Sequence, residues 1–391
     1  MSSKHQLVTS SWGDGEISAM KDVIAEGNFT MGKRVKLFEK KFAEFIKAKH
    51  CVMVNSGSSA NLLMIAALFY SKQSSLKLKR GDEIIVPAVS WSTTYFPLYQ
   101  YGLKIKFVDI DLETLNYDLS KLETAISKKT RAIMAVNLLG NSNDFDRILN
   151  LISGKDILLV EDNCESMGAE FSNKKTGTFG VMGTFSTFFS HHISTMEGGI
   201  IATDDDELYH ILLSLRAHGW TRDLPTNNLV CSEKDIESLK EDFRFVLPGY
   251  NVRPLELQGA VGIEQIKKLP MIISGRQENA ILFKKLLANH PDLMTQKEVG
   301  KSSWFGFSLI IRPKSKLDRA SLVKILSSLG FEYRSIVTGN FAKNEVTKYF
   351  DSEVHGELKN ADYIDKNGVF IGNHHYPMTD AFLDLGKILI N

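Results

Sequence analysis

The chain has 391 residues, with 47 Lys plus Arg against 46 Asp plus Glu and a net charge of +1. That balance excludes a charge-driven binder of nucleic acid or another polyanion. A hydrophobic share of 43% with 24% charged residues is the mix of a soluble chain that buries a core without covalent staples.

The opening stretch, MSSKHQLVTSSWGDGE, carries no apolar leader segment. The longest apolar run, Leu62–Tyr70, falls well short of the ~20 residues a membrane-spanning helix needs, so no membrane insertion is expected. Cys51, Cys164 and Cys231 are scattered, contain no CxxC pair and make no disulfide framework, which points to a reducing, cytoplasmic compartment. At roughly 100–200 residues per domain the length predicts two domains.

From about residue 50 the pattern alternates short apolar runs with amphipathic ones. CVMVN (51–55) reads as a strand, and 58–72 as a helix capped by Ser58 or Ser59. Strands are predicted at 82–87, 104–110, 131–140 and 156–163, with helices at 119–128 and 145–154 between them. A β pair at 184–189 and 198–205 precedes a helix at 206–219. Residues 221–246 read as a loop. Two helices, 255–269 and 273–290, lead into a strand at 304–312, a helix at 319–329 and a short strand near 333–337. Apolar strands alternating with helices predict an α/β fold: a mostly parallel sheet covered on both faces, in a large domain over 1–270, with a smaller C-terminal α/β domain over 271–391.

Four constellations carry chemistry. VNSGSSAN (54–61) joins a strand to a helix, and Gly57 and Ser58 form a candidate phosphate cradle at the helix N-terminus; a plain capped turn reads the same way. The loop lacks the lysine of a GxxxxGK[ST] motif, which disfavours nucleoside-triphosphate chemistry. In LLVEDNCE (158–165), Asp162 stands at the carboxyl end of an apolar strand, where ligands of open α/β sheets bind. A carboxylate there can hold a pyridinium N–H, or simply cap the next turn. Ser186 is followed by SHHISTMEGG (190–199). Adjacent histidines diverge and rarely share one ion, and no zinc spacing is present, so no metal is expected. In PGYNVRPLELQ (248–258), Asn251 and Arg253 precede a helix, and Arg253 could fork onto a carboxylate or phosphate.

Taken in order, these segments resemble the sugar aminotransferase family (DegT/DnrJ/EryC/StrS-like) of fold-type I pyridoxal-phosphate enzymes. MGKRVKLFEKKFAEF (31–45), GDEIIVPAVSWSTTY (81–95), KFVDID (106–111), VNLLG (136–140), GTFG (177–180), MEGG (196–199) and RAHGW (216–220) extend the likeness over nearly the whole chain. The resemblance implies pyridoxal or pyridoxamine 5'-phosphate as cofactor and a homodimer with shared active sites. It puts Gly57, Ser58 and Ser186 on the cofactor phosphate, Asn251 on that phosphate from the other subunit, Trp91 on the ring face and Asp162 on the ring nitrogen. Glu165 falls where the family usually carries Gln or His facing the ring hydroxyl. His218, Arg222 and Arg253 are candidate substrate contacts.

One departure decides the functional reading. The family's Schiff-base lysine lies six residues before the Glu of the E-G-G motif, and that position is His191; no lysine occurs between Lys175 and Lys234. Imidazole has no primary amine, so the cofactor is held non-covalently, while a proton can still be taken and given near neutral pH. Within the family this substitution resembles the sugar 3-dehydratases. One branch adds an iron–sulfur cluster, which needs four close ligands, usually thiolates, and three dispersed cysteines cannot supply them. The resemblance therefore implies the cluster-free branch, which acts on a GDP-linked 4-keto-6-deoxy sugar with L-glutamate as amino donor. Two other readings stay open: an aminotransferase with His191 as sole base, and a catalytically inactive cofactor-binding homologue.

Overall fold

The computed structural model describes residues 4–235 and 239–389; residues 236–238 of the expected 221–246 loop lie outside them. An eight-stranded sheet runs, in spatial order, His50–Val54, Gly199–Thr203, Met182–Ser186, Leu158–Asp162, Thr130–Val136, Glu83–Pro87, Lys104–Val108 and Ser352–Val354. Gly199–Thr203 is antiparallel to both of its neighbours, and every other pairing is parallel. The central strands are buried on both faces, which is why they read as unbroken apolar runs rather than alternating ones. The helix Gly57–Tyr70 is apolar on every side because it is buried on every side, packed between the sheet and the helices Ser92–Gln100 and Asp206–Arg216.

A second sheet, ordered Leu293–Met294, Gly306–Ile311, Gly368–Gly372 and Tyr333–Arg334, is antiparallel throughout. It has its own core, in which Phe283, Phe307, Leu322, Leu326 and Phe382 meet. Among the described residues no helix is long and apolar enough to cross a membrane.

The structure departs from the sequence-based expectation in three places. The helices expected at 255–269 and 273–290 are one helix, Glu256–Leu287, with Pro270 inside it. Proline costs a helix one backbone hydrogen bond. Here Leu269, Ile272 and Ile273 bury the flanking turns against the helix Lys33–Ile46 and its neighbours, and the helix runs on. Residue 270, the expected end of the large domain, therefore sits inside a continuous helix. Second, Ser352–Val354, from the segment expected in the small domain, pairs with Lys104–Val108 and extends the large sheet. Third, helices at Asp14–Glu26, Lys33–Ile46, Ser92–Gln100, Lys359–Asn367 and Thr379–Leu389 and the strand Gly368–Gly372 lie outside the elements expected from the sequence.

A buried ion pair anchors the sheet edge that carries the 55–58 turn. The Arg216 guanidinium donates to Glu39 Oε1 at 2.5 Å and to the Met53 carbonyl at 2.8 Å, while Met53 N–H donates to the same Glu39 oxygen at 2.7 Å. Both side chains are nearly sealed from solvent. Removing one partner of such a pair leaves the other charge uncompensated. Glu39→Gln is expected to lower stability by about 3–5 kcal/mol in urea unfolding. Lys267→Ala, which breaks only the exposed pair with Glu264, should stay within about 0.5 kcal/mol of the parent.

Candidate active site

The carboxyl ends of the parallel strands converge. Ser56 caps the helix Gly57–Tyr70, its Oγ accepting the Ser59 N–H at 3.1 Å and its carbonyl the Ala60 N–H at 3.0 Å. Among the described residues this leaves the first N–H groups of the helix, those of Gly57 and Ser58, free for an anion. Gly57 has to be glycine: a Cβ there would lie 2.8 Å from Ser186 Cβ and 3.2 Å from Cys164 Sγ. Ser58 is exposed at the same rim, and its hydroxyl donates to Thr93 Oγ1 at 3.1 Å. Gly57, Ser58 and Ser186 are thus brought together as a small-residue cradle.

Asp162 is buried beside it. Its Oδ2 accepts from Asn61 Nδ2 at 2.8 Å and from the Thr94 hydroxyl at 2.7 Å, and its Oδ1 accepts the Cys164 N–H at 3.2 Å. Thr184 in turn donates to Asn61 Oδ1 at 2.6 Å, which fixes the amide so that its N–H₂ faces the carboxylate. Ser90 and Thr94 share a 2.7 Å bond at the start of the helix that Trp91 precedes. Trp91 is 58% exposed, so its indole face is open to a partner.

Glu165 lies on the other side of Asp162. Its Oε2 accepts the Leu139 N–H at 3.0 Å. Burial, with the charge of Asp162 adding to it, raises its pKa to about 7, so at neutral pH the carboxyl is protonated about half the time. A protonated carboxyl donates a hydrogen bond as the amide of Gln would, and this removes the apparent oddity of an acid at that position.

His191 ends the turn that begins at Ser186. The Ser186 hydroxyl accepts the Phe188 N–H at 3.2 Å, and the Phe188 carbonyl accepts the His191 N–H at 2.9 Å. The imidazole is part-exposed and packs on Phe305, ring centroids 5.1 Å apart. Desolvation of the ring and the nearby Arg276 guanidinium hold its pKa down to about 4, so it is unprotonated at pH 7. His192 points into the interior instead, its Nε2 paired with the Ser303 carbonyl at 3.1 Å. Among the described residues no group of three or more His, Cys, Asp or Glu could hold a metal ion.

The remaining sequence candidates form a separate, more exposed group. Asn251 Oδ1 accepts from Arg253 Nε at 3.1 Å, and Arg253 Nη2 approaches His218 Nε2 at 3.4 Å. The loop is joined to the cradle by backbone, since Asn55 N–H donates to the Val252 carbonyl at 2.9 Å. Arg222 stands over the Trp220 ring at 5.2 Å and lines a cleft of about 430 Å³ with Thr221, Lys234 and Phe243. None of the cleft's lining residues belongs to the Asp162–His191 group.

Sequence reasoning missed Asn61, Thr94 and Thr184, the residues that hold Asp162, and Leu139, Phe305 and Arg276, which surround Glu165 and His191. A signal existed for Asn61: it is the polar residue just before the apolar run of its helix, and an isolated buried amide demands partners.

The arrangement suits pyridoxal phosphate: a cradle that a Cβ would fill, a buried carboxylate for a pyridinium N–H, and a neutral base nearby. A family model described as the DegT/DnrJ/EryC1/StrS aminotransferase family matches residues 11–383. The chain is 59% identical over 384 residues to the GDP-4-keto-6-deoxy-D-mannose 3-dehydratase of Yersinia pseudotuberculosis, covering 98% of this chain and 97% of that one. It is 33% identical to the lipopolysaccharide biosynthesis protein RfbH of Salmonella typhimurium, covering 95% and 87%. Among solved structures, an Escherichia coli GDP-4-keto-6-deoxy-D-mannose-3-dehydratase with bound hydrated PLP superimposes with a TM-score of 0.98 at 57% identity, covering 100% of both chains. A GDP-4-keto-6-deoxymannose-3-dehydratase with a trapped PLP-glutamate geminal diamine gives 0.97 at 57% identity, covering 99% and 100%.

The raised pKa of Glu165 makes a stability prediction. A carboxyl with a folded pKa of about 7 binds more protons folded than unfolded, so its favourable contribution is complete below about pH 4.5 and lost as pH rises through 7. Glu165→Gln escapes that loss. Urea unfolding of cofactor-free protein should show the variant gaining about 1–3 kcal/mol on the parent between acid and neutral pH. A constant difference across that window would contradict the assignment.

Proposed function

The chain belongs to the DegT/DnrJ/EryC1/StrS aminotransferase family, and from that premise we propose that it is a pyridoxal-phosphate-dependent 3-dehydratase. Its substrate is GDP-4-keto-6-deoxy-D-mannose and its product GDP-4-keto-3,6-dideoxy-D-mannose. L-glutamate supplies the amino group and leaves as 2-oxoglutarate, and ammonia is released. The sugar loses one oxygen and glutamate gains one, so the exchange balances. The observation that carries the reading is His191, a neutral base in the slot where the family's aminotransferases keep lysine.

When bound, the cofactor would supply an amine for the C4 ketone and an electron sink for the bond cleavage that follows. The residues of this chain do the rest. The N–H groups of Gly57 and Ser58 and the Ser186 hydroxyl bind the phosphate, and Trp91 covers the ring. Asp162, kept rigid by Asn61 and Thr94, holds the ring nitrogen's proton. Glu165 donates to the ring hydroxyl oxygen. His191 takes the proton from the cofactor's C4' carbon. Its low pKa makes the resulting imidazolium a strong acid, well placed to protonate the C3 hydroxyl as it leaves. A lysine would instead recapture the cofactor.

The further parts of this reading are a cytoplasmic homodimer with shared sites. Support comes from Asn251, exposed on a loop tied to the cradle, and from the exposed apolar rings of Trp91, Phe188 and Phe189 around the site mouth. His218, Arg222 and Arg253 are assigned to the nucleotide sugar or to glutamate, since their guanidinium and imidazole groups suit phosphates and carboxylates.

The test is chemical. Wild-type protein with pyridoxal phosphate, reduced with borohydride, should yield no active-site peptide carrying the cofactor. His191→Asn should lose ammonia release by a factor of at least ~10², the usual scale of a general base. His191→Lys should become labelled at residue 191 and stop dehydrating. A labelled lysine in the wild-type protein would restore the ordinary aminotransferase reading, and retention of the amino group in the sugar would identify an aminotransferase that uses His191.

A further inference from the structure

We propose that Arg276 and Phe305 are positioning residues for His191, acting through the segment Ser302–Phe305 that crosses behind the imidazole. The inference rests on His191 being the base.

The segment is clamped from every side. Arg276, buried on the helix Glu256–Leu287, donates from Nη1 to the Phe305 carbonyl at 2.8 Å and reaches the Trp304 carbonyl at 3.5 Å. Asn373 donates to the Trp304 carbonyl at 2.9 Å, and Gln277 to the Ser302 carbonyl at 2.9 Å. Against the large sheet, Ser303 N–H donates to the Gly140 carbonyl at 2.9 Å and Phe305 N–H to the Leu139 carbonyl at 3.0 Å. Leu139 is the residue whose own N–H holds Glu165. One short crossing therefore ties the group facing the ring hydroxyl to the surface behind the base.

The backbone is strained where these strands of chain meet. Leu139 and Trp304, both buried, have φ of 54° and 48°, a region that side chains other than glycine rarely enter. Gly140, at φ 93°, could not carry a Cβ, which would fall 2.5 Å from the Trp304 nitrogen. Such strain persists only where surrounding contacts over-determine it. What it achieves is the placement of Phe305, whose ring lies against both His191 and His192 and stacks on Phe370. The base is thus held by a rigid aromatic surface as well as by its own loop.

Arg276 also brings a charge. Among the described residues it has no carboxylate within ion-pair distance, and its Nε lacks a partner. A buried, uncompensated guanidinium is costly, and burial lowers its pKa to about 10. Its field acts on His191 and His192, each of which it pushes toward the neutral form. Among the described residues the charged group acting on His191 is Arg276 from the long helix, opposed by a hydrogen bond to the Phe188 backbone, and His191 in turn acts on His192. The guanidinium thus has two effects an apolar residue would lack: it holds the Phe305 and Trp304 carbonyls, and it adds to the desolvation that keeps His191 unprotonated.

The experiment uses Arg276→Met, Arg276→Lys and Phe305→Leu in the full chain. Ammonia release from GDP-4-keto-6-deoxy-D-mannose is followed against pH in cofactor-loaded protein. Histidine Cε1 resonances are titrated in cofactor-free protein, with His191→Asn identifying the signal. Phe305→Leu should lower kcat about tenfold with KM changed less than about threefold, the signature of a misplaced base rather than of weakened binding. Arg276→Met should raise the midpoint of the His191 titration, and of the acid limb of kcat, by about one pH unit, while Arg276→Lys leaves both near the parent values. An unmoved midpoint in Arg276→Met, or an unchanged kcat in Phe305→Leu, overturns the proposal. Should Arg276→Met not fold, Phe305→Leu decides alone. Dehydration surviving in His191→Asn would overturn the base reading itself; its loss there, with full activity in the other three variants, overturns only the positioning role.

Discussion

The site depends on the grip on Asp162. A carboxylate at a strand's carboxyl end is a common feature of α/β sheets. What makes this one useful is that Asn61 and Thr94 both donate to the same oxygen, Oδ2, and Thr184 fixes the amide of Asn61. These three partners come from two helices and a strand, so the carboxylate cannot swing without disturbing the central core. Its other oxygen accepts the Cys164 N–H at a longer 3.2 Å. A group placed in this way holds the proton of a pyridinium without reorganising, which is the condition under which electrostatic stabilisation is strongest. The cradle of Gly57, Ser58 and Ser186 and the turn to His191 are then placed by the register of the strands that flank Asp162.

Much of this was legible in the sequence because apolar runs and small-residue turns are local signals. The strands at 83–87, 104–108 and 158–162 and the helix Gly57–Tyr70 follow from their own composition. The strand-to-helix turn follows from SGSSAN, whereas His191 stands out only through the family resemblance, which places it in the lysine position six residues before Glu197. What stayed hidden depends on residues far apart in the chain. Pro270 suggested a break, but burial of both flanking turns carries the helix through. Ser352–Val354 is a short edge strand in a polar stretch, and only its partner makes it a strand. Arg276 lies in a helix face that reads as an ordinary charged position, and nothing local shows that it is buried. GTFG, one of the segments that carry the family likeness, spends its N–H groups at Gly177, Phe179 and Gly180 on the buried Glu161 carboxyl, a contact nothing local in the sequence shows.

Two ionisable groups of the site, Glu165 and His191, are set by different physics. Glu165 is pushed up to about 7 by burial beside another acid, and His191 is pushed down to about 4 by burial beside a cation. The acid therefore spends much of its time protonated and the base unprotonated at the same pH. An ordinary surface pair would be in the opposite states, a carboxylate and, at mildly acidic pH, an imidazolium. In the proposed reading this inversion suits one group to donate to the ring oxygen and the other to accept a proton from carbon.

That inversion also accounts for why a histidine serves where a lysine is usual. A primary amine in the same surroundings is both a base and a nucleophile, and its nucleophilicity returns the cofactor to the protein after each half-reaction. Imidazole separates the two properties. Once it has taken a proton it has no second reaction open to it except to give that proton up, and the C3 hydroxyl of the sugar is the acceptor that the overall exchange of oxygen requires. In the proposed reading the nearby Arg276 guanidinium makes the imidazolium a stronger acid than it would be in water, so the proton taken from carbon is readily passed on to the departing hydroxyl. In the proposed reading the same two features, absence of an amine and presence of a nearby buried cation, turn a scaffold shared with transaminases toward elimination.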